Sequence, residues 1–185
     1  TDGPTLRAWR QLAGDVGVVV VGGFCERSEE RLFNSSAVVD PSGLRAVYRK
    51  THLWDRERLI FSAGDMAPPI VETSAGRIST TICYDLEFPE WVRIPALGGA
   101  QLLAAPVNWP ATPAPEGERP ADVVRVQAEA SMNRLPIVAC DRVGDERGVA
   151  WVGGTVLANA DGWVVAGGWR SQDETILCAE LDLKS

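Results

Sequence analysis

Residues 16–24 read Val-Gly-Val-Val-Val-Val-Gly-Gly-Phe, a run too rich in β-branched residues to favour a helix and bounded by glycines. Such a run fits a buried strand, and a chain built on it must find sheet partners for its backbone. The sequence supplies them. Residues 32–39 predict a second strand and 44–48 a third. Asp40-Pro41-Ser42-Gly43 turns one into the other, proline presetting φ and glycine supplying a positive φ. Residues 70–73 and 78–83 flank a second turn, Ser74-Ala75-Gly76-Arg77. Further strands are predicted over 101–107, 137–140, 155–158, 162–166 and 176–181. Helices are fewer: one around residues 6–12, one over 89–97 with Pro89 near its start, and one over 122–134 closed by Pro136. Hairpins mixed with helix crossovers point to an α/β domain with a mixed sheet or a two-sheet sandwich, covering residues 1–185 as a single unit.

Composition narrows the function. Of the 185 residues, 45% are hydrophobic and 23% charged, which suits a folded domain. A net charge of −7 argues against a nucleic-acid partner. No apolar run reaches the roughly 18–20 residues of a membrane span. The four cysteines, Cys25, Cys83, Cys140 and Cys178, form no Cys-x-x-Cys pair and read as reduced thiols of a cytoplasmic protein. With one histidine, a His-rich metal site is excluded, and neither metal nor cofactor is expected.

Chemistry concentrates in two stretches. Cys83 lies where an apolar strand-like run meets the sequence Tyr84-Asp85-Leu86-Glu87-Phe88-Pro89-Glu90. At a strand-to-helix junction a helix N-terminus can lower a thiol pKa and aim backbone N–H groups at a developing oxyanion. The alternative is that Cys83 only packs, as most buried cysteines do. In Tyr48-Arg49-Lys50-Thr51-His52-Leu53-Trp54, Lys50 ends a strand among aromatic and apolar neighbours. A buried lysine requires a carboxylate partner, and Glu57 is within reach along the chain. His52 is the one imidazole available for a Cys–His dyad, or else a hydrogen-bonded residue that fixes a loop. The proline-rich stretch 108–120 is long for a simple connection and is expected to border a binding site.

Together these stretches resemble the nitrilase superfamily, the carbon–nitrogen hydrolases. Tyr48-Arg49-Lys50-Thr51-His52-Leu53 is similar to the family's lysine motif, Phe61-Ser62-Ala63-Gly64-Asp65 to the turn that follows it, and Cys83 to Glu90 to its nucleophile motif. Ala104-Ala105-Pro106-Val107-Asn108-Trp109, Asn133-Arg134-Leu135-Pro136-Ile137-Val138 and Trp151-Val152-Gly153-Gly154-Thr155 continue the match in order. The resemblance implies an α-β-β-α sandwich and a Glu-Lys-Cys triad, with Cys83 as nucleophile, Lys50 as the oxyanion's cation and the backbone N–H of Tyr84 as a second donor. Glu57 resembles the family's additional acidic residue. Asn108 and Trp109 are expected to line the pocket, or else to anchor the loop.

The family's general base is a glutamate N-terminal to anything that matches residue 16. The chain is therefore expected to be N-terminally incomplete, lacking the family's first strand, helix and second strand, and to be inactive alone. Tyr-Asp after the cysteine is similar to amidase and carbamoylase branches, where true nitrilases tend to carry Trp-Glu. A small amide or N-carbamoyl substrate is implied. A homodimer or larger assembly is also expected, with Trp91, Ile94 and Leu97 as its candidate stripe. The competing readings are a non-catalytic nitrilase-like domain that binds a ligand or protein, and a Cys–His hydrolase using His52.

Overall fold

The computed structural model describes residues 2–183. Helix α1 (Pro4–Val16) leads into strands β1 (Val20–Ser28), β2 (Arg31–Asp40) and β3 (Gly43–Arg49). Then come β4 (Ile70–Thr73), β5 (Gly76–Thr80), helix α2 (Pro89–Leu97), β6 (Leu102–Pro106), helix α3 (Ala121–Asn133) and β7 (Ile137–Cys140). A small hairpin, β8 (Asp145–Glu146) and β9 (Val149–Ala150), precedes β10 (Val156–Ala158) and β11 (Val164–Gly167).

Strands β1, β2 and β3 form an antiparallel sheet with β2 in the middle. Helix α1 covers its outer face. Leu6 and Ala13, two turns apart and so on one side of the helix, bury against Ala37 and Val39. Proline in the first turn of α1 sacrifices no needed N–H. The helix ends at Gly17, whose φ of 77° lets its N–H return to the Ala13 carbonyl at 2.9 Å. This cap corrects the predicted strand over 16–24. Val16 stays helical, Val16 and Val18 remain exposed, and the strand starts only at Val20.

The second sheet has the order β11-β10-β7-β6-β5-β4. β5, β6 and β7 are parallel, and α2 and α3 supply their crossovers. Both helices lie on the sheet's outer side, where Val92, Leu103, Val123, Val126, Ala130, Ile137 and Val156 form the main core. The inner sides of the two sheets face each other. There the Ser36 and Thr80 hydroxyls meet at 2.7 Å, both fully buried. The layers are therefore helix, sheet, sheet, helices: the expected α-β-β-α sandwich.

Segment 176–181 forms no strand, against the sequence expectation, and Ile176 is 90% exposed. Its short apolar run, Ile176 to Ala179, is what suggested a strand. A strand also needs a partner for its backbone, and among the described residues none pairs with it.

Candidate active site

The parallel strands set the site's place. In open α/β sheets the crevice at the carboxyl ends of the strands receives ligands. Here β5, β6 and β7 end together, and the segments after them carry Cys83, Asn108 with Trp109, and Asp141 respectively. From the other sheet, β3 ends at Arg49 and delivers Lys50 to the same place. A cavity of about 580 Å³ opens there, lined by Lys50, Glu57, Cys83, Tyr84, Asn108 and Trp109 among others. All six residues named from the sequence thus come together on one cavity.

Lys50 is 2% exposed, which overturns the ordinary expectation for a lysine. Its ammonium donates to Glu57 Oε2 at 2.6 Å. Glu57 also accepts from the Trp54 N–H at 2.8 Å through Oε2, and from Asn34 Nδ2 at 2.9 Å through Oε1. A short 3-10 turn, Asp55–Leu59, presents this carboxylate. The loop is pinned further along by Gly64, whose N–H donates to the Lys50 carbonyl at 2.9 Å. A side chain at position 64 would strike the Arg49 carbonyl, so glycine is required by close approach.

Strand β5 stops at Thr80, and Cys83 opens a second 3-10 turn, Cys83–Glu87, before α2. Cys83 has a φ of 47°, a conformation that costs a non-glycine residue energy and persists only where the surroundings impose it. Its sulfur lies 3.9 Å from the Asn108 carbonyl oxygen. Burial pushes the thiol up to about 11; the Lys50 ammonium opposes this, and the charges of Glu57 and Asp141 reinforce it. The sequence had suggested a thiol lowered by a helix N-terminus. Desolvation wins here, because the thiol is largely withdrawn from water and the turn is short. The thiol is therefore held in its protonated form near neutral pH.

The turn is held by a residue the sequence reading passed over. Asp85 is fully buried. It accepts from the Tyr48 hydroxyl at 2.8 Å, the Ile82 N–H at 3.1 Å and the His52 N–H at 3.0 Å. His52 Nδ1 sits 2.8 Å from the same carboxylate. Trp91 Nε1 donates in turn to the Tyr48 hydroxyl at 2.9 Å. One carboxylate thus joins the end of β3, the lysine loop, the Cys83 turn and α2. A charged residue one position past Tyr84 was the available signal. The imidazole of His52 also stacks on Phe88 at 3.8 Å and does not line the cavity, which is the loop-fixing role and not that of a base toward Cys83.

Asn108 is exposed and Trp109 buried. The Trp109 N–H donates to Asp141 Oδ1 at 3.0 Å, and the Gly154 N–H to Asp141 Oδ2 at 2.9 Å. Burial raises the Asp141 carboxyl, and these N–H donors restrain the rise. Trp109 is therefore both a cavity wall and an anchor, since it also packs in the main core. On the far rim Arg125 bridges Asp122 at 2.8 Å and Glu87 at 3.4 Å. Among the described residues, every carboxylate on the cavity, Glu57, Glu87 and Asp122, is engaged by a cation. Glu26, another acidic residue of the N-terminal part, is bound by Arg49 and Ser35 and lies outside the lining; the Arg49 guanidinium holds it below the usual carboxylate range.

A thiol at a strained turn and a buried ammonium thus share one cavity on an α-β-β-α sandwich. The chain belongs to the carbon-nitrogen hydrolase family, whose model matches residues 1–185. It is 33% identical to a nitrilase of Pyrococcus abyssi, over 98% of this chain and 66% of that protein. It is 31% identical to the N-carbamoylputrescine amidase of Arabidopsis thaliana, over 97% of this chain and 65% of that protein. The crystal structure of a carbon-nitrogen hydrolase from Helicobacter pylori G27 superposes with a TM-score of 0.82 at 27% identity, covering 99% of this chain and 72% of that one. The chain thus spans slightly less than two thirds of the length of these two relatives.

Proposed function

We propose that the protein containing this chain hydrolyses the carbon–nitrogen bond of a small amide or N-carbamoyl compound through a thioester on Cys83. The observation that carries this reading is the buried Lys50 ammonium on the same cavity as Cys83, with Glu57 fixing it from behind. Cys83 Sγ attacks the carbonyl carbon, its proton passing to a base, and the carbonyl oxygen becomes an oxyanion. Lys50 and the Tyr84 N–H receive that charge; the first N–H groups of a helical turn have no acceptor within the turn. Collapse expels the amine, which takes the proton from the base. Water then cleaves the thioester and frees the thiol.

Glu57 is an orienting group in this scheme. Both its oxygens are occupied, so it holds Lys50 and does not collect the thiol proton. The base is assigned to the glutamate that the family carries N-terminal to the stretch matching residue 16, completing a Glu-Lys-Cys triad. Relatives named for amide and N-carbamoyl hydrolysis support this substrate class. Free thiols at Cys25, Cys83, Cys140 and Cys178 support a cytoplasmic setting. Exposed Ile94 and Leu97 on α2 support a homodimer or larger assembly.

The test is ammonia release by the full-length protein from a panel of small amides and N-carbamoyl amines. Hydroxylamine should trap the acyl group, and Cys83→Ala should abolish turnover and trapping with an unchanged circular dichroism spectrum. Full activity in Cys83→Ala would refute the thioester route.

A further inference from the structure

We infer that Asn34 is a positioning residue for Lys50, holding the ammonium in place through the Glu57 carboxylate. The chemical role rests on the hydrolase reading above; the contacts do not. Asn34 lies in β2, the central strand of its sheet, where asparagine is disfavoured. Its side chain nonetheless lines the active-site cavity.

The residue grips Lys50 twice. Its backbone carbonyl accepts the Lys50 N–H at 2.8 Å, which fixes the main chain. Its Nδ2 donates to Glu57 Oε1 at 2.9 Å, and the other oxygen of that carboxylate takes the Lys50 ammonium at 2.6 Å. A carboxylate accepts only, so the amide must present its N–H here. With Oε1 held by Asn34 and Oε2 by the Trp54 N–H, the carboxylate cannot turn about its last bond. The ammonium then keeps one place, as an oxyanion donor must. Release of Oε1 leaves Glu57 free to rotate and to carry Lys50 with it.

The charged and titratable groups around this pair are few. Lys50 comes from the end of β3, Cys83 from the turn after β5 and Asp141 from the end of β7. Glu87, Asp122 and Arg125 stand across the cavity, and Cys25 is paired with Asn34 on β1. Replacing the amide by a carboxyl places two acids in contact, so the pair retains a proton to higher pH than either alone. While protonated, the introduced group donates an O–H where Asn34 donates an N–H. Once the proton leaves, the two charges repel and the grip is lost.

The experiment compares wild type, Asn34→Ala and Asn34→Asp in the full-length protein across pH. With Asn34→Ala, kcat should fall by at least about 10-fold while KM changes by less than about 3-fold, the signature of a donor misplaced in the transition state. The ratio of wild-type to Asn34→Asp kcat/KM should exceed about 10 at pH 8 and shrink to within about 3 at pH 5, as protonation restores the donor. A residue that only supports the fold gives a loss that does not vary with pH, so a flat ratio overturns the inference even if Asn34→Ala fails to fold.

Iodoacetamide alkylation of Cys83, followed by peptide mass spectrometry, provides a second measure that needs no turnover. A displaced ammonium withdraws its support from the thiolate, so alkylation at pH 8 should slow by at least about 3-fold in Asn34→Asp relative to wild type. If no amide is hydrolysed by the wild type, the hydrolase reading fails. The alkylation rates then still decide whether Asn34 governs Lys50: unchanged rates overturn that link.

Discussion

At the scale of single residues, Lys50 and Cys83 are each held in a state they would not adopt alone. Lys50 is almost fully buried, a placement that a lysine tolerates only with a carboxylate in contact, and Glu57 supplies it. Arginine at this position keeps the charge but replaces a compact donor by a wide planar fork. On the proposed function, Lys50→Arg in the full-length protein should therefore lower kcat by at least about 10²-fold, the usual loss for one oxyanion donor, with the fold retained by circular dichroism. Near-normal kcat in Lys50→Arg would reduce Lys50 to a charge partner of Glu57. Cys83 gives a pH signature. Burial holds its thiol up at about 11, so in this chain alkylation should keep accelerating from pH 7 toward pH 11. A plateau by pH 8 would contradict the burial-raised thiol.

Between elements, the decisive joint is Asp85. It accepts from Tyr48 at the end of β3, from His52 in the lysine loop and from Ile82 before the Cys83 turn. Burial raises the Tyr48 phenol, so it stays a neutral donor to that carboxylate. Asp85→Ala leaves these buried donors without an acceptor, at about 1–3 kcal/mol for each group. Unfolding stability should drop by at least about 3 kcal/mol in a urea titration, with the midpoint shifted and the slope little changed. Asp85, two residues past Cys83, is thus a structural clasp between the two sheets' contributions. A drop below about 1 kcal/mol would mean that water or rearrangement replaces the clasp.

For the whole molecule, the sandwich buries the Ser36 and Thr80 hydroxyls between its sheets and apolar residues under its helices, and the proposed assembly is tested on an outer helix face. Ile94 and Leu97 project from α2 at 41% and 79% exposure. Trp91, the third residue of the expected stripe, turns its indole N–H inward to Tyr48. The stripe is therefore narrower than its spacing suggested. Light scattering of the full-length protein should give the mass of a dimer or larger species, and Leu97→Asp should reduce it while Cys83 alkylation is unchanged. A monomer in the wild type would remove α2 as an interface.

The sequence by itself determined most of the elements. The β-branched runs, the Asp40-Pro41-Ser42-Gly43 turn and the proline-bounded helices all follow from preferences acting over a few residues, and all appear in the structure. It also named Lys50, Glu57, Cys83, Tyr84, Asn108 and Trp109, because ordered motifs survive as linear text. Local preference failed where partners decide: 176–181 has the apolar run of a strand but no neighbour to pair with among the described residues, and 16–19 lost its strand at the helix cap. Tertiary structure alone decided which charges meet. The occupied oxygens of Glu57, the grip of Asn34 across the sheet, the burial of Asp85 and the direction of the Cys83 shift all depend on groups distant in sequence. Electrostatics in a folded chain is set by what surrounds a group, and hydrogen bonding by what reaches it. Neither is written in the spacing of neighbouring residues.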